Sequence, residues 1–302
     1  MNKIEFMRKS QYGKNLRFHW EGYIPLEQVV LIPTHSTLDI NPEMQEKLKL
    51  KLEETLKANP NYDIGKKLRT EFVHYDEKTD KVLIFVSPTD YFTHSILRKE
   101  PNQAMQFYPN PITINTIQET KEGYLLLGIR NPKVCDQANL AFIGAGFVER
   151  TEPQETIAKR VKTECEEETK YFEYKEGKKT SPFNIKNAKA LCVVTGSNTD
   201  TSVVTHLPLD KLAWECSPGN NEYNQFVYLS TSPREIKRFL DNGGYCVSEN
   251  TDCIVRDSNN FIDARAYELF SSGRIIPAAD HLLGGLEAYL HCKEKGLIRS
   301  RY

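Results

Sequence analysis

Apolar positions recur along the chain in two rhythms, one helical and one alternating. The helical rhythm is clearest between Asn41 and Asn59, where Met44, Leu48, Leu52 and Leu56 form an i+4 row. Asn41 is the expected N-cap, Pro42 sits in the first turn, and Asn59-Pro60 is the stop. A strand follows at Lys81–Val86 (KVLIFV), and Ser87-Pro88 is expected to end it. Two prolines within Tyr108-Pro109-Asn110-Pro111 mark the expected domain boundary, dividing 1–108 from 109–302.

Beyond that boundary the rhythm shortens. Ile112–Ile117 alternates, Glu122-Gly123 makes a turn, and Tyr124–Ile129 reads as a strand, so a hairpin is expected. Further strands are expected at Leu140–Ile143, Ala190–Thr195, Ser202–Leu207 and Gln225–Leu229. Helices are expected at Pro153–Thr169, Pro233–Leu240 and Pro277–His291, and Lys175–Lys179 reads as a solvated loop. Mixed strands and helices with hairpins give an α/β (α+β) class.

Composition narrows the functional classes. The chain has 302 residues, with 40 Lys+Arg against 41 Asp+Glu and a net charge of −1. No surplus of cations exists to neutralise a nucleic-acid backbone, so general nucleic-acid binding is not expected. The polar start carries no apolar signal core, and no apolar run approaches the roughly 18–20 residues of a membrane span. Seven scattered cysteines without a CxxC pair argue against a zinc cluster or a disulfide framework. The location expected from these features is a reducing cytoplasm, with no membrane partner.

One stretch carries chemistry: Gly144–Tyr171, GAGFVERTEPQETIAKRVKTECEEETKY. Thr151 and Gln154 are spaced as a capping box, with Pro153 in the first turn. At 100° per residue, Ile157, Ala158, Val161 and Cys165 share an arc about 100° wide, the expected buried face. Arg160, Glu164, Glu167 and Glu168 occupy or border the adjoining arc. Charge runs are usually solvated faces. Three carboxylates beside a core are different, because burying them is costly without a cation. Their oxygens are the hard ligands that Mg²⁺ or Mn²⁺ prefers.

The same stretch resembles the Nudix box, G-x5-E-x7-R-E-U-x-E-E-x-G-U with U a bulky apolar residue. Gly146 and Glu152 match its front half. Thr163-Glu164-Cys165-Glu166-Glu167-Glu168-Thr169-Lys170-Tyr171 aligns with its back half. Between the halves stand three extra residues. The box Arg therefore falls on Arg160 when counted from Gly146 and on Thr163 when counted from the glutamates, and the box Gly is replaced by Lys170. A dinucleotide-binding reading of Gly144-Ala145-Gly146 fails because its third glycine would be Glu149.

The resemblance implies a Nudix-type α/β/α sandwich with a mixed sheet, preceded by a smaller α+β N-terminal domain that shapes the substrate pocket or a homodimer interface. It implies a pyrophosphohydrolase that cleaves a phosphoanhydride in a nucleotide sugar or an ADP-ribose-like molecule. Glu164, Glu167 and Glu168, with the carbonyl near Gly146, would hold Mg²⁺ or Mn²⁺. Arg160 would orient the carboxylates. Ser217-Pro218-Gly219-Asn220-Asn221-Glu222 is similar to a segment of related members whose Glu binds metal or activates water, which makes Glu222 a fifth catalytic candidate; the bland reading is a turn. The other class left open is a Nudix-fold protein without catalysis that binds a nucleotide or a protein.

Weaker candidates remain. His206 and His281 are candidate bases, and Trp20, Trp214, Tyr223 and Phe226 are candidate stacking aromatics, though core roles are commoner for all six. In the N-terminal block, Ser87–His94 is the segment most expected to face the site. Cys165 should be buried and inert.

Overall fold

The computed structural model describes residues 7–13, 16–38, 40–60, 62, 64–97, 110–131, 140–151, 153–171, 183–196, 200–219, 222–242, 254–257 and 278–299. Its first elements are β1 (Arg8–Lys9), β2 (Arg17–Pro25), β3 (Val29–Pro33), α1 (Pro42–Ala58), β4 (Lys66–Asp76), β5 (Lys81–Asp90) and α2 (Tyr91–Leu97). There follow β6 (Ile112–Glu119), β7 (Tyr124–Arg130), β8 (Leu140–Phe142), β9 (Ala145–Phe147), α3 (Ile157–Glu168), β10 (Thr169–Tyr171) and β11 (Lys189–Thr195). The last are β12 (Thr201–Pro208), β13 (Cys216–Pro218), β14 (Tyr223–Ser230), α4 (Pro233–Asp241), β15 (Ile254–Asp257) and α5 (Asp280–Glu294).

The fold is mixed α/β. A large sheet runs β1-β2-β11-β12-β6-β7-β14-β15, with β8 added to β7 and β9 added to β6. The β12–β6 pair is parallel and its neighbours are antiparallel. Alternation along β6 and β12 gives the sheet two buried faces. One core, holding Ile114, Ile143, Val161 and Cys165, lies under α3 and a three-stranded sheet ordered β3-β5-β4. The other, holding Phe142, Val204, Leu286 and Tyr289, lies under α4 and α5. Hydrophobic burial on both faces is what flattens the molecule into layers.

Three expectations need correcting. Residues 1–108 do not form one unit: β2 pairs with β11, placing Phe18 opposite Val194 and Trp20 opposite Val193. Its side chains enter both cores of the large sheet. Next, Ser87-Pro88 does not end the strand, since β5 runs on to Asp90 with Pro88 opposite Leu68. Beyond Val86 no β3 residue pairs with β5, so the N–H that proline lacks has no ladder partner to lose. Finally, α3 starts at Ile157 rather than Pro153. Its N-cap is Thr156, whose side chain accepts from the Lys159 N–H at 3.2 Å. Thr151 Oγ1 instead donates to the Pro153 carbonyl, and Gln154 Nε2 donates to the Glu149 carbonyl. Residues 153–156 therefore belong to the loop before the helix.

The other expected elements lie within a few residues of their places. Asn41 caps α1 by accepting from the Met44 N–H at 2.8 Å. Lys175–Lys179 and Tyr108-Pro109 fall outside the described residues.

Candidate active site

The cleft is made by a fork in the large sheet. Strands β6 and β7 pair only at Gln118↔Leu126 and Glu119↔Leu125, then diverge. In the gap β9 lies along β6 and β8 along β7. The opening holds about 380 Å³, with Asn115, Gly146, Arg130, Arg160, Glu164 and Glu222 among its walls. Position in the fork follows from sequence: Gly144, at φ +84°, turns the chain from β8 into β9.

Helix α3 delivers the glutamates to this cleft. Its buried face is Ile157, Val161, Glu164, Cys165 and Glu168, so two carboxylates sit in the seam with the core. Glu164 is 5% exposed and Glu168 1% exposed, whereas Glu167 is exposed at the rim. Arg160 Nη2 forms an ion pair with Glu164 Oε1 across one helical turn. Glu164 also packs on Gly146, where an added Cβ would lie 2.1 Å from Oε1. Only a glycine allows so close an approach.

Glu168 is held differently. Its Oε2 accepts from the backbone N–H groups of Gly144 and Ala145. It also shares a hydrogen bond with Glu222. The strand β13 explains how Glu222 arrives. Ser217-Pro218 form a strand, not a turn, pairing with β10 at the end of α3. Gly219 donates its N–H to the Glu168 carbonyl at 2.7 Å. A Cβ on Gly219 would meet the Glu167 carbonyl oxygen at 2.4 Å. Residues 220 and 221, and Glu152, fall outside the described residues.

Crowding raises the proton affinity of these carboxyls. Burial pushes Glu164 up to about 7; Arg160 opposes this, while Glu167, Glu222 and Glu155 add to it. Glu168 is raised well above the carboxylate range by burial first, then by the charge of Glu222, with the Gly144 amide pulling the other way. Among the described residues no three acidic, His or Cys side chains form a ready-made cation cage. The donor chemistry nevertheless suits a hard divalent ion, because buried carboxylates that resist ionising are stabilised by a cation as by a proton.

The N-terminal block reaches the same cleft. Lys67 of β4 and Tyr91 of α2 line it. Tyr91 packs edge-on against Phe147 at 5.4 Å, and Lys67 Nζ pairs with Glu149 at 3.2 Å. The suspected segment Ser87–His94 thus contributes Tyr91, and His94 behind it lies 3.0 Å from Asp200. Lys67, Arg130 and Asp200 were missed, because no local motif marks a residue that long-range sheet pairing brings in.

The weaker candidates separate. His281 lines the cleft, and burial pushes it down to about 4. His206 does not line it. It is buried between Glu119 and Tyr23, with Glu119 also accepting from the Tyr289 hydroxyl at 2.8 Å. Trp20, Tyr223 and Phe226 are core residues, and the Trp214 side chain is outside the described set. Cys165 is fully buried and its thiol is pushed up by burial, as an inert residue should be.

No protein-family model and no curated protein sequence matches the chain. A solved bifunctional NMN adenylyltransferase/ADP ribose pyrophosphatase from Francisella tularensis, complexed with AMP and a Mn ion, is similar at a TM-score of 0.29 and 16% identity. The alignment covers 49% of this chain and 40% of that one. A likeness that loose establishes neither a shared fold nor a shared activity. Among the described residues no helix is long and apolar enough to cross a membrane.

Proposed function

We propose that the chain is a metal-dependent hydrolase that cleaves a phosphoanhydride in a nucleoside diphosphate linked to a further group. One observation carries this reading: Glu164, Glu167 and Glu222 line one cleft, Glu168 is hydrogen-bonded to Glu222 beside it, and an arginine and two loop amides already fix Glu164 and Glu168. A purely structural acidic helix would keep its charges in solvent. Here Glu164 and Glu168 are buried against the core.

Glu164, Glu167 and Glu168 would hold Mg²⁺ or Mn²⁺. The bound ion would supply positive charge for the diphosphate and a more acidic water. The protein's own part is positioning. Arg160 fixes Glu164, the Gly144 and Ala145 amides fix Glu168, and Glu222, which shares a proton with Glu168 while no metal is bound, would be the carboxylate left to accept a proton from an attacking water. Lys67 and Arg130 are the cleft cations suited to phosphate oxygens.

The test is phosphate or nucleotide release across a panel of nucleoside diphosphate derivatives, with and without Mg²⁺ or Mn²⁺. Metal-dependent release of a nucleoside monophosphate supports the reading. Tight binding of a nucleotide without turnover overturns it in favour of a binding protein.

A further inference from the structure

The Tyr223 ring belongs to the core, but its hydroxyl is delivered in a way that core packing alone does not require. Along β14, Val227 and Leu229 face the α5-side core, while Phe226 and Tyr228 face the α3 side. Strict alternation would send Tyr223 to the α5 side with the other odd-numbered residues. Between Tyr223 and Gln225, however, the register with β7 slips by one residue, and Tyr223 packs in the α3-side core. A one-residue slip reverses the face, and bulges of this kind re-aim side chains beside active sites. Gly128 of β7 makes the room, since an added Cβ there would lie 2.2 Å from Tyr223 Cδ1.

The hydroxyl so aimed has two acceptors within reach. It donates to the Phe142 carbonyl at 2.9 Å, and it shares a hydrogen bond with Glu168. Burial pushes the phenol well above its usual range, and the charge of Glu168 adds to this while Arg130 opposes it. A phenol carries one proton, so it serves one acceptor at a time. Of the two, an ionised carboxylate is the stronger. The Gly144 and Ala145 amides both donate to Glu168 Oε2, which makes Tyr223 the side-chain hydroxyl in the set that fixes this carboxyl group.

We propose that Tyr223 is a positioning residue for the metal site: its hydroxyl turns from the Phe142 carbonyl to Glu168 when that carboxylate takes the cation. The inference rests on the hydrolase reading above. It adds a residue that stands behind the cleft wall and acts only through Glu168. Groups in that relation to a metal ligand typically contribute about 10–100-fold to metal affinity.

The experiment measures Mn²⁺ binding, by the paramagnetic resonance signal of the free ion, to wild type, Tyr223→Phe and Tyr228→Phe. Tyr223→Phe removes one oxygen and keeps the ring over Gly128. Tyr228 is the matched control: it lies on the same strand, faces the same core and donates its hydroxyl to the Ala213 carbonyl at 2.9 Å. Metal-free thermal midpoints are recorded beside the binding curves. The expected result is roughly tenfold to hundredfold weaker Mn²⁺ binding in Tyr223→Phe, with Tyr228→Phe within about twofold of wild type. Tyr223→Phe that binds Mn²⁺ like wild type, whatever its midpoint, reduces the hydroxyl to a structural role and leaves the hydrolase reading standing. Equal weakening in the two variants overturns the proposal as well, because general loosening of the core then explains both. Wild type that binds no Mn²⁺ overturns the proposal and the hydrolase reading together.

Discussion

The Glu164 carboxylate is clasped between the Arg160 guanidinium and the Cα of Gly146. Arg160 thus stands one turn before the glutamate and pairs with it, as the orienting role proposed above requires. Arg160→Ala should lower turnover roughly tenfold to a thousandfold, about 1.4–4 kcal/mol of transition-state stabilisation. It should also move the acid limb of the pH–rate profile upward, since Arg160 is what restrains the rise at Glu164. Arg160→Lys should recover only part of the rate, because a point charge cannot replace a planar fork. Full turnover in Arg160→Ala, on a substrate the wild type hydrolyses, would exclude the orienting role.

Metal binding should register as stability. An ion held only by the native state stabilises by mass action, about 2.7 kcal/mol at a hundredfold excess over its dissociation constant. Mg²⁺ or Mn²⁺ should therefore raise the thermal midpoint of wild type. The combined change Glu164→Gln, Glu167→Gln and Glu168→Gln should abolish that rise while the metal-free protein stays folded. A wild-type midpoint indifferent to saturating metal returns α3 to a simple structural helix.

How legible the site was depends on sequence distance. The helix face could be read because Ile157, Val161 and Cys165 repeat at helical spacing, and the same arc put Glu164 and Glu168 beside the core. The start of α3 was misread because Thr151 and Thr156 both precede polar residues suited to capping. The winner was decided by Gln154 and Glu155, whose side chains bond back to the Glu149 backbone. Strand β2 was invisible: Arg17, His19 and Glu21 alternate with Phe18 and Trp20, yet pairing with β11 lies some 170 residues ahead. Asn115 was likewise unreadable, since its neighbour Ser202 is set by a parallel register.

Acid should weaken the fold through His281. Burial depresses its pKa to about 4, against about 6.5 in an unfolded chain; Arg130 helps, while Asp200 and Asp280 oppose. Between those values the unfolded state binds more protons than the native one. Stability from this group is therefore present above about pH 6.5 and lost as pH falls toward 4. His281→Gln removes the titration. Denaturant unfolding should show the variant gaining on wild type at about pH 5 compared with about pH 7.5. A difference that does not vary with pH would mean His281 does not titrate on unfolding.

The final prediction concerns the first strands, which seal the large sheet rather than decorate a separate domain. Residue β2 partners Val193 and Val194 lie in the middle of β11, and without β2 that strand becomes an unpaired apolar edge. Leu16 and Phe18 would also leave the α5-side core, where both are fully buried. A chain beginning at Asn110 should consequently aggregate or show no cooperative transition. A milder probe avoids the deletion: Phe18→Ala should destabilise the whole chain by about 3–5 kcal/mol, the usual cost of emptying a buried aromatic site. Far-ultraviolet and tryptophan signals should shift together to the lower midpoint, because the strand belongs to the same cooperative unit as α5. A cooperative melt from the shortened chain, at the full-length midpoint, would restore the boundary at residue 108.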